Sequence, residues 1–141
     1  MMTLKVFTDG GARGNPGPAA TGVVVKDESG LILEKFGRYL GKTTNNVAEY
    51  QAVIDGLKIC KSILIKSNFT KASFFIDSQL VVQQLNGIFK VKDQNLKTLF
   101  IEIKQLELNL PPIEYNQIPR SQNKEADFLV NKTLNQQLEW T

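Results

Sequence analysis

The stretch Val6–Phe7–Thr8–Asp9–Gly10–Gly11–Ala12–Arg13–Gly14–Asn15–Pro16–Gly17 constrains this chain most. It reads as an apolar-edged strand that ends in a carboxylate and runs straight into a turn dense in glycine. Glycine tolerates backbone conformations closed to other residues and lets a second group approach the main chain closely. Three more acids recur in equally distinctive settings: Thr44–Asn45–Asn46–Val47–Ala48–Glu49–Tyr50, Ile76–Asp77–Ser78–Gln79 and Asn123–Lys124–Glu125–Ala126–Asp127.

Around these segments the hydrophobic spacing predicts βββαβααβα. Leu4–Asp9 alternates as a strand, and Thr21–Lys26 and Leu31–Tyr39 flank Asp27–Glu28–Ser29–Gly30 as a hairpin. Val47, Tyr50, Val53, Ile54 and Leu57 are spaced for a helix, with Thr44 or Asn45 as its N-cap. Ala72–Ile76 is a short strand ending at Asp77. Leu80, Val81 and Leu85 suggest a short helix closed by Gly87, and Leu96 to Leu106 an amphipathic one. Pro111–Pro112 stops that helix, Ile113–Ile118 is the last strand, Pro119–Gln122 a loop, and Lys124–Leu134 the final helix. This order predicts an α/β fold with a five-stranded mixed sheet, three antiparallel strands and then two parallel ones, and helices on both faces. No linker or repeat divides residues 1–141, so one domain is expected. Trp140, near the end, is expected to pack or fray.

The 141 residues suffice to bury roughly 68–70% of the unfolded surface, and 42% hydrophobic with 22% charged residues suits a folded soluble chain. No run of about 18 apolar residues exists, so no membrane span is expected. The start goes directly into a strand pattern without a signal-peptide pattern, and Cys60 is the single cysteine, so a cytoplasmic location is the default expectation. The net charge of +3 weakly favours a polyanionic partner. The absence of histidine is sharper. It removes Ser–His and Cys–His catalysis and the common zinc sites, leaving carboxylates, lysines, tyrosines or a bound hard cation.

Taken singly, each acid has a structural role: Asp77 as a helix N-cap, Glu49 as a first-turn partner of the helix dipole. Gathered together, they are costly. Two carboxylates about 4 Å apart repel by roughly 4 kcal/mol at an effective dielectric of 20. Asp9, Glu49, Asp77 and Asp127 in one site therefore require divalent cations or raised pKa values. An all-oxygen donor set suits Mg²⁺ or Mn²⁺ and disfavours zinc. Two such ions flanking a phosphate activate water and stabilise the departing oxygen without histidine.

In order and approximate spacing, Thr8–Asp9–Gly10, Gly14–Asn15–Pro16–Gly17, Thr44–Asn45–Asn46…Glu49, Asp77–Ser78–Gln79 and Ala126–Asp127 resemble the type 1 ribonuclease H family over nearly the whole chain. The resemblance implies a ribonuclease H-like fold and hydrolysis of the RNA strand of RNA–DNA hybrids, leaving 5′-phosphate and 3′-hydroxyl ends. It implies that Asp9 bridges two Mg²⁺ ions, with Mn²⁺ a substitute, that Asp127 completes the site of the attacking water, and that Glu49 and Asp77 complete the leaving-group site. Glu49 would also reach a ribose 2′-hydroxyl.

Telling RNA from DNA requires contacts to that 2′-hydroxyl, which uncharged amides supply as donor or acceptor. Asn15, Asn45, Asn46 and Gln79 lie beside the acids, and their family counterparts touch the minor groove; turn formation and helix capping are their local alternatives. Gly10, Gly11 and Gly14 would let the backbone approach the strand. Lys42 and Thr44 correspond to a phosphate pocket for the DNA strand, with a solvated lysine as the alternative for Lys42. Phe89–Lys90–Val91–Lys92 mixes an aromatic with cations, as strand-contacting segments do, or is an exposed loop.

The chain departs from many bacterial members in two places. The segment from Gly87 to Leu96 is short, with Lys90 and Lys92 its only cations, where others carry a basic helical handle. Arg120 stands in the loop before the last acid where many have a histidine; it would steady a phosphate but cannot shuttle protons at neutral pH. Rival readings are an integrase or junction resolvase of the same architecture, disfavoured by size and by the Thr–Asn–Asn and Asp–Ser–Gln segments, and a hybrid-binding module without catalysis, disfavoured by the four acids. Double-stranded RNA is a further candidate substrate, and a monomer the default state.

Overall fold

A computed structural model describes residues 2–139; Trp140 lies outside them. The elements are β1 (Thr3–Ala12), β2 (Gly17–Lys26), β3 (Ile32–Thr43), α1 (Asn45–Lys66), β4 (Lys71–Ile76), α2 (Gln79–Leu85), α3 (Gln94–Glu107), β5 (Ile113–Gln117) and α4 (Lys124–Glu139), with a 3₁₀ turn at Arg120–Gln122 inside the expected loop. The sheet order is β3-β2-β1-β4-β5. β1–β2 and β2–β3 are antiparallel, while β1–β4 and β4–β5 are parallel. The mixed five-stranded sheet expected from the element order is therefore the one formed.

Alternation along β1 buries Leu4, Val6 and Thr8, and the first two join Val23, Val25, Phe74 and Tyr115 beneath α1, α2 and α3. A smaller apolar cluster of Ala20, Val130 and Leu134 seats α4 on the sheet. None of the described helices is long and apolar enough to cross a membrane.

β3 runs on to Thr43 and α4 to Glu139, past the expected Tyr39 and Leu134, and two further differences from the sequence expectation matter for the site. β1 does not end at Asp9 but continues to Ala12, with Gly10, Gly11 and Ala12 paired to Thr21, Ala20 and Ala19; β2 accordingly begins at Gly17, ahead of Thr21. Glycine normally weakens a strand. Here the missing side chain is what lets α1 pack on β1: a Cβ on Gly10 would lie 2.2 Å from the Ala48 carbonyl and 2.4 Å from Glu49 N. The space over Gly10 is thus filled by α1. Gly10→Ala is expected to lower stability by about 3 kcal/mol, the upper range for overpacking, because rigid backbone must move. Gly11→Ala, whose Cβ would sit 3.6 Å from Val130 Cγ1 in ordinary contact, is expected to be close to neutral. Urea unfolding midpoints of the two variants check the contrast.

The second boundary concerns Glu49. α1 starts at Asn45 with Thr44 as its N-cap, whose hydroxyl accepts from Val47 N at 3.2 Å. Glu49 therefore lies beyond the first turn, and that turn contains no acid. Its carboxylate is not a dipole partner. Likewise the N-cap of α2 is Ser78, not Asp77: the Ser78 hydroxyl accepts from Val81 N at 3.3 Å. Both acids are free of the local roles that a sequence reading leaves open.

Candidate metal centre and nucleic-acid interface

The register of the parallel pair brings the first two acids together. Phe7 pairs with Phe75, so two residues further on Asp9 and Asp77 leave the same end of adjacent strands. β4 stops at Ile76, while β1 runs on beside β2 alone, which exposes the edge of β1 next to Asp77. Ligands of α/β sheets bind at such carboxyl ends, where neighbouring strands diverge. α1, pressed onto Gly10, delivers Glu49, whose Oε1 accepts a short hydrogen bond from Gly10 N. One carboxylate oxygen from each of Asp9, Glu49 and Asp77 lies within 4.8 Å of the other two. Asp127, in the first turn of α4, lies outside this tight trio but lines the same cleft of about 380 Å³.

Burial makes this cluster electrostatically expensive. Asp9 is 8% exposed and Glu49 7%. Loss of solvation, reinforced by the charges of Asp77 and Asp127, pushes the Asp9 carboxyl up to about 7. Burial, with Asp9 and Asp77 beside it, holds Glu49 well above the usual carboxylate range, against the pull of the Gly10 N–H. A divalent cation would discharge the repulsion within such a set and bind to oxygen donors alone.

A residue outside the sequence-derived set completes the support. Asn123 is 1% exposed, and its Nδ2 donates to the Thr8 carbonyl at 2.9 Å and to Asp77 Oδ2 at 3.4 Å. It ties the chain before α4 to β1 and orients Asp77. Its place four residues before Asp127 was the available signal, but an asparagine beside a helix start reads equally as a cap. Asn123→Ala is expected to cost about 1–3 kcal/mol by leaving the Thr8 carbonyl unpaired, a loss to be measured by chemical denaturation.

The remaining candidates divide among three places. Gly10, Gly11, Asn45, Asn46 and Arg120 line the acid cleft. Asn15, Thr44 and again Asn46 line an adjoining polar pocket of about 260 Å³. Gly14, Lys42 and Gln79 line neither: Gly14 holds its turn at φ +94°, Lys42 is exposed near the end of β3, and Gln79 is the exposed first residue of α2. Asn45 and Asn15 carry structural duties on their carbonyl side, each across a long sequence separation. Asn45 Oδ1 accepts from Ala12 N at 2.9 Å, and Asn15 Oδ1 accepts from Asn45 N at 3.0 Å. These bonds lock the Gly-rich turn to the start of α1 and leave both amide NH₂ groups without a partner among the described residues. Phe89–Lys90–Val91–Lys92 is a loop between α2 and α3 that borders a separate groove with Phe100 and Ile101.

Comparison with known proteins follows the same architecture. The family described as "Reverse transcriptase-like" matches residues 7–133. The crystal structure of LC11-RNase H1 in complex with an RNA/DNA hybrid superposes with a TM-score of 0.92 at 41% identity, covering 96% of this chain and 99% of that one. The chain belongs to the type 1 ribonuclease H family. The ribonuclease HI of Halobacterium salinarum is 35% identical over 131 residues, 93% of this chain and 64% of that protein. A bifunctional protein of Mycobacterium tuberculosis is 38% identical over 134 residues, 94% of this chain but 36% of its own length. The chain thus spans about a third of that mycobacterial relative, whose match is confined to a ribonuclease H-sized region.

Proposed function

We propose that this ribonuclease H chain is an endonuclease that hydrolyses the RNA strand of RNA–DNA hybrids with the help of two Mg²⁺ ions, giving 5′-phosphate and 3′-hydroxyl ends. The observation that carries the reading is the convergence of Asp9, Glu49 and Asp77 oxygens within 4.8 Å in a cleft that Asp127 also lines. The donor set fits the ions: it is all oxygen, largely buried and mutually repulsive until neutralised. Mn²⁺ satisfies the same donors. Bound there, the ions would lower the pKa of an attacking water and stabilise the departing oxygen.

The chain's own residues set up the rest. Asp9, central in the cluster, would help hold both ions; Asp127 would complete the site on the side of the attacking water, and Glu49 and Asp77 on the side of the leaving group. The Gly10 N–H fixes one oxygen of Glu49, which leaves the other for metal or for a ribose 2′-hydroxyl. The free NH₂ groups of Asn15 and Asn45 are suited to donate to 2′-hydroxyl and groove acceptors, an RNA-specific contact. Asn46, Gln79, Gly11 and Gly14 extend that surface, Lys42 and Thr44 meet the DNA-strand phosphate, and Arg120 steadies a phosphate near the acids. All four acids come from one chain, which supports a monomer as the working unit.

The deciding experiment takes one labelled RNA strand paired with DNA, paired with RNA, and alone, each with and without Mg²⁺. Cleavage of the DNA-paired strand only with metal is expected. Binding without cleavage under any metal would replace the enzyme with a hybrid-binding module, and equal cutting of the RNA duplex would widen the substrate class.

A further inference from the structure

Arg13 also belongs to the cleft, although none of the roles assigned above falls on it. It follows the glycine pair of β1 and lines the same cavity as Asp9, Glu49 and Asp127. Its main chain is held firmly: Arg13 N donates to the Pro18 carbonyl at 2.8 Å. Its side chain reaches across to α4, where Nη2 donates to Asn135 Oδ1 at 2.8 Å and to Asn131 Oδ1 at 3.3 Å. Asn131 and Asn135 succeed Asp127 at intervals of one helical turn and so share its face of α4. Asn131 is itself oriented by donating to the Asp127 carbonyl at 3.1 Å.

The choice of partners is informative. Among the described residues Arg13 forms no ion pair, although its cleft holds four carboxylates. Two neutral amide oxygens aim the guanidinium and leave its positive charge uncancelled. Both also fall on Nη2, so the N–H groups of Nε and Nη1 have no partner among the described residues. They remain as separate charge-assisted donors, each able to take one phosphate oxygen.

We propose that Arg13, aimed by Asn131 and Asn135, binds a backbone phosphate of the strand lying in the acid cleft, beside the phosphate to be cut. This rests on the nucleic-acid reading above and adds a contact on the α4 side of the cleft, separate from Arg120. It is a positioning residue, and a simple staple between β1 and α4 is the competing role.

The test measures hybrid affinity without turnover in an Asp9→Asn parent, over a range of salt concentrations. Arg13→Gln is expected to weaken binding about tenfold at low salt and to reduce the slope of log affinity against log salt by about one. Asn135→Asp separates the two roles. A carboxylate there strengthens the staple while cancelling the charge, so melting temperature is expected to hold or rise while affinity and salt slope fall as in Arg13→Gln. An unchanged salt slope in Arg13→Gln, or an Asn135→Asp variant that binds like its parent, would overturn the proposal while leaving the nuclease reading intact. A parent that binds no hybrid, with a wild-type chain that cuts none, would sink both.

Discussion

Asp9→Asn is expected to leave a folded protein whose cleavage of hybrid RNA is slower by about a thousandfold or more, the loss of several kcal/mol of transition-state stabilisation. The substitution keeps the shape of the side chain and removes its charge. Asp9 sits among Asp77, just past the end of the neighbouring strand, the helix-borne Glu49 and Asp127, so its loss weakens every combination of donors at once. The same variant is expected to be more stable than wild type in metal-free buffer above neutral pH, because a buried carboxylate repelled by Asp77 is gone. Activity and stability thus move in opposite directions. Steady-state cleavage and thermal unfolding on one preparation measure both, and normal turnover by Asp9→Asn would refute the assignment of the centre.

Mg²⁺ should control stability as well as activity, and pH should set how strongly. Asp9 titrates near 3.8 when unfolded and is raised to about 7 in the folded chain. A carboxyl raised on folding contributes stability that is fully present below the lower value and lost as pH rises through the upper one. The loss approaches about 1.4 kcal/mol per pH unit between them. Asp27 and Glu114, both lowered by hydrogen bonds and, for Glu114, by Lys71, work in the opposite sense. The Asp9 contribution is therefore isolated as the difference between wild type and Asp9→Asn. In chelator that difference should widen from pH 4 to above pH 7. Added Mg²⁺ should close it at high pH, where the carboxylates are ionised, and have little effect at low pH. Cleavage should follow the same curve: abolished by chelator, restored by Mg²⁺, and rising with pH toward neutrality. A metal-independent melting temperature at pH 8 would be incompatible with a cation centre at these acids.

Much of this was legible in the linear chain because it depends on local pattern. Period-two burial marked β1, helical spacing marked α1 and α3, and Pro111–Pro112 marked the break before β5. The errors fell where tertiary packing overrode local preference. Gly10 and Gly11 read as a turn, yet they lie in β1, paired with Thr21 and Ala20 of β2, and α1 packs closely over the first. The helix-end roles open to Glu49 and Asp77 taken singly are not used: the first turn of α1 holds no acid, and Ser78 rather than Asp77 caps α2. Asn123 and Arg13 were missed as site residues for one reason. Each acquires its partner from a segment distant in sequence, and an isolated asparagine or arginine carries no pattern of its own.

The amino-acid sequence by itself determined the chemistry available: four acids in ordered, glycine- and amide-rich settings, no histidine, and hence oxygen donors for a hard cation. Only the tertiary structure decided that three of those carboxylates converge, how deeply Asp9 and Glu49 are buried, and which amides hold Asp77 and Arg13 in place. Residue types and their spacing record local conformational preference. The depth and aim of a charge depend on strand register and on how closely a helix can approach the sheet, quantities set by contacts between remote parts of the chain.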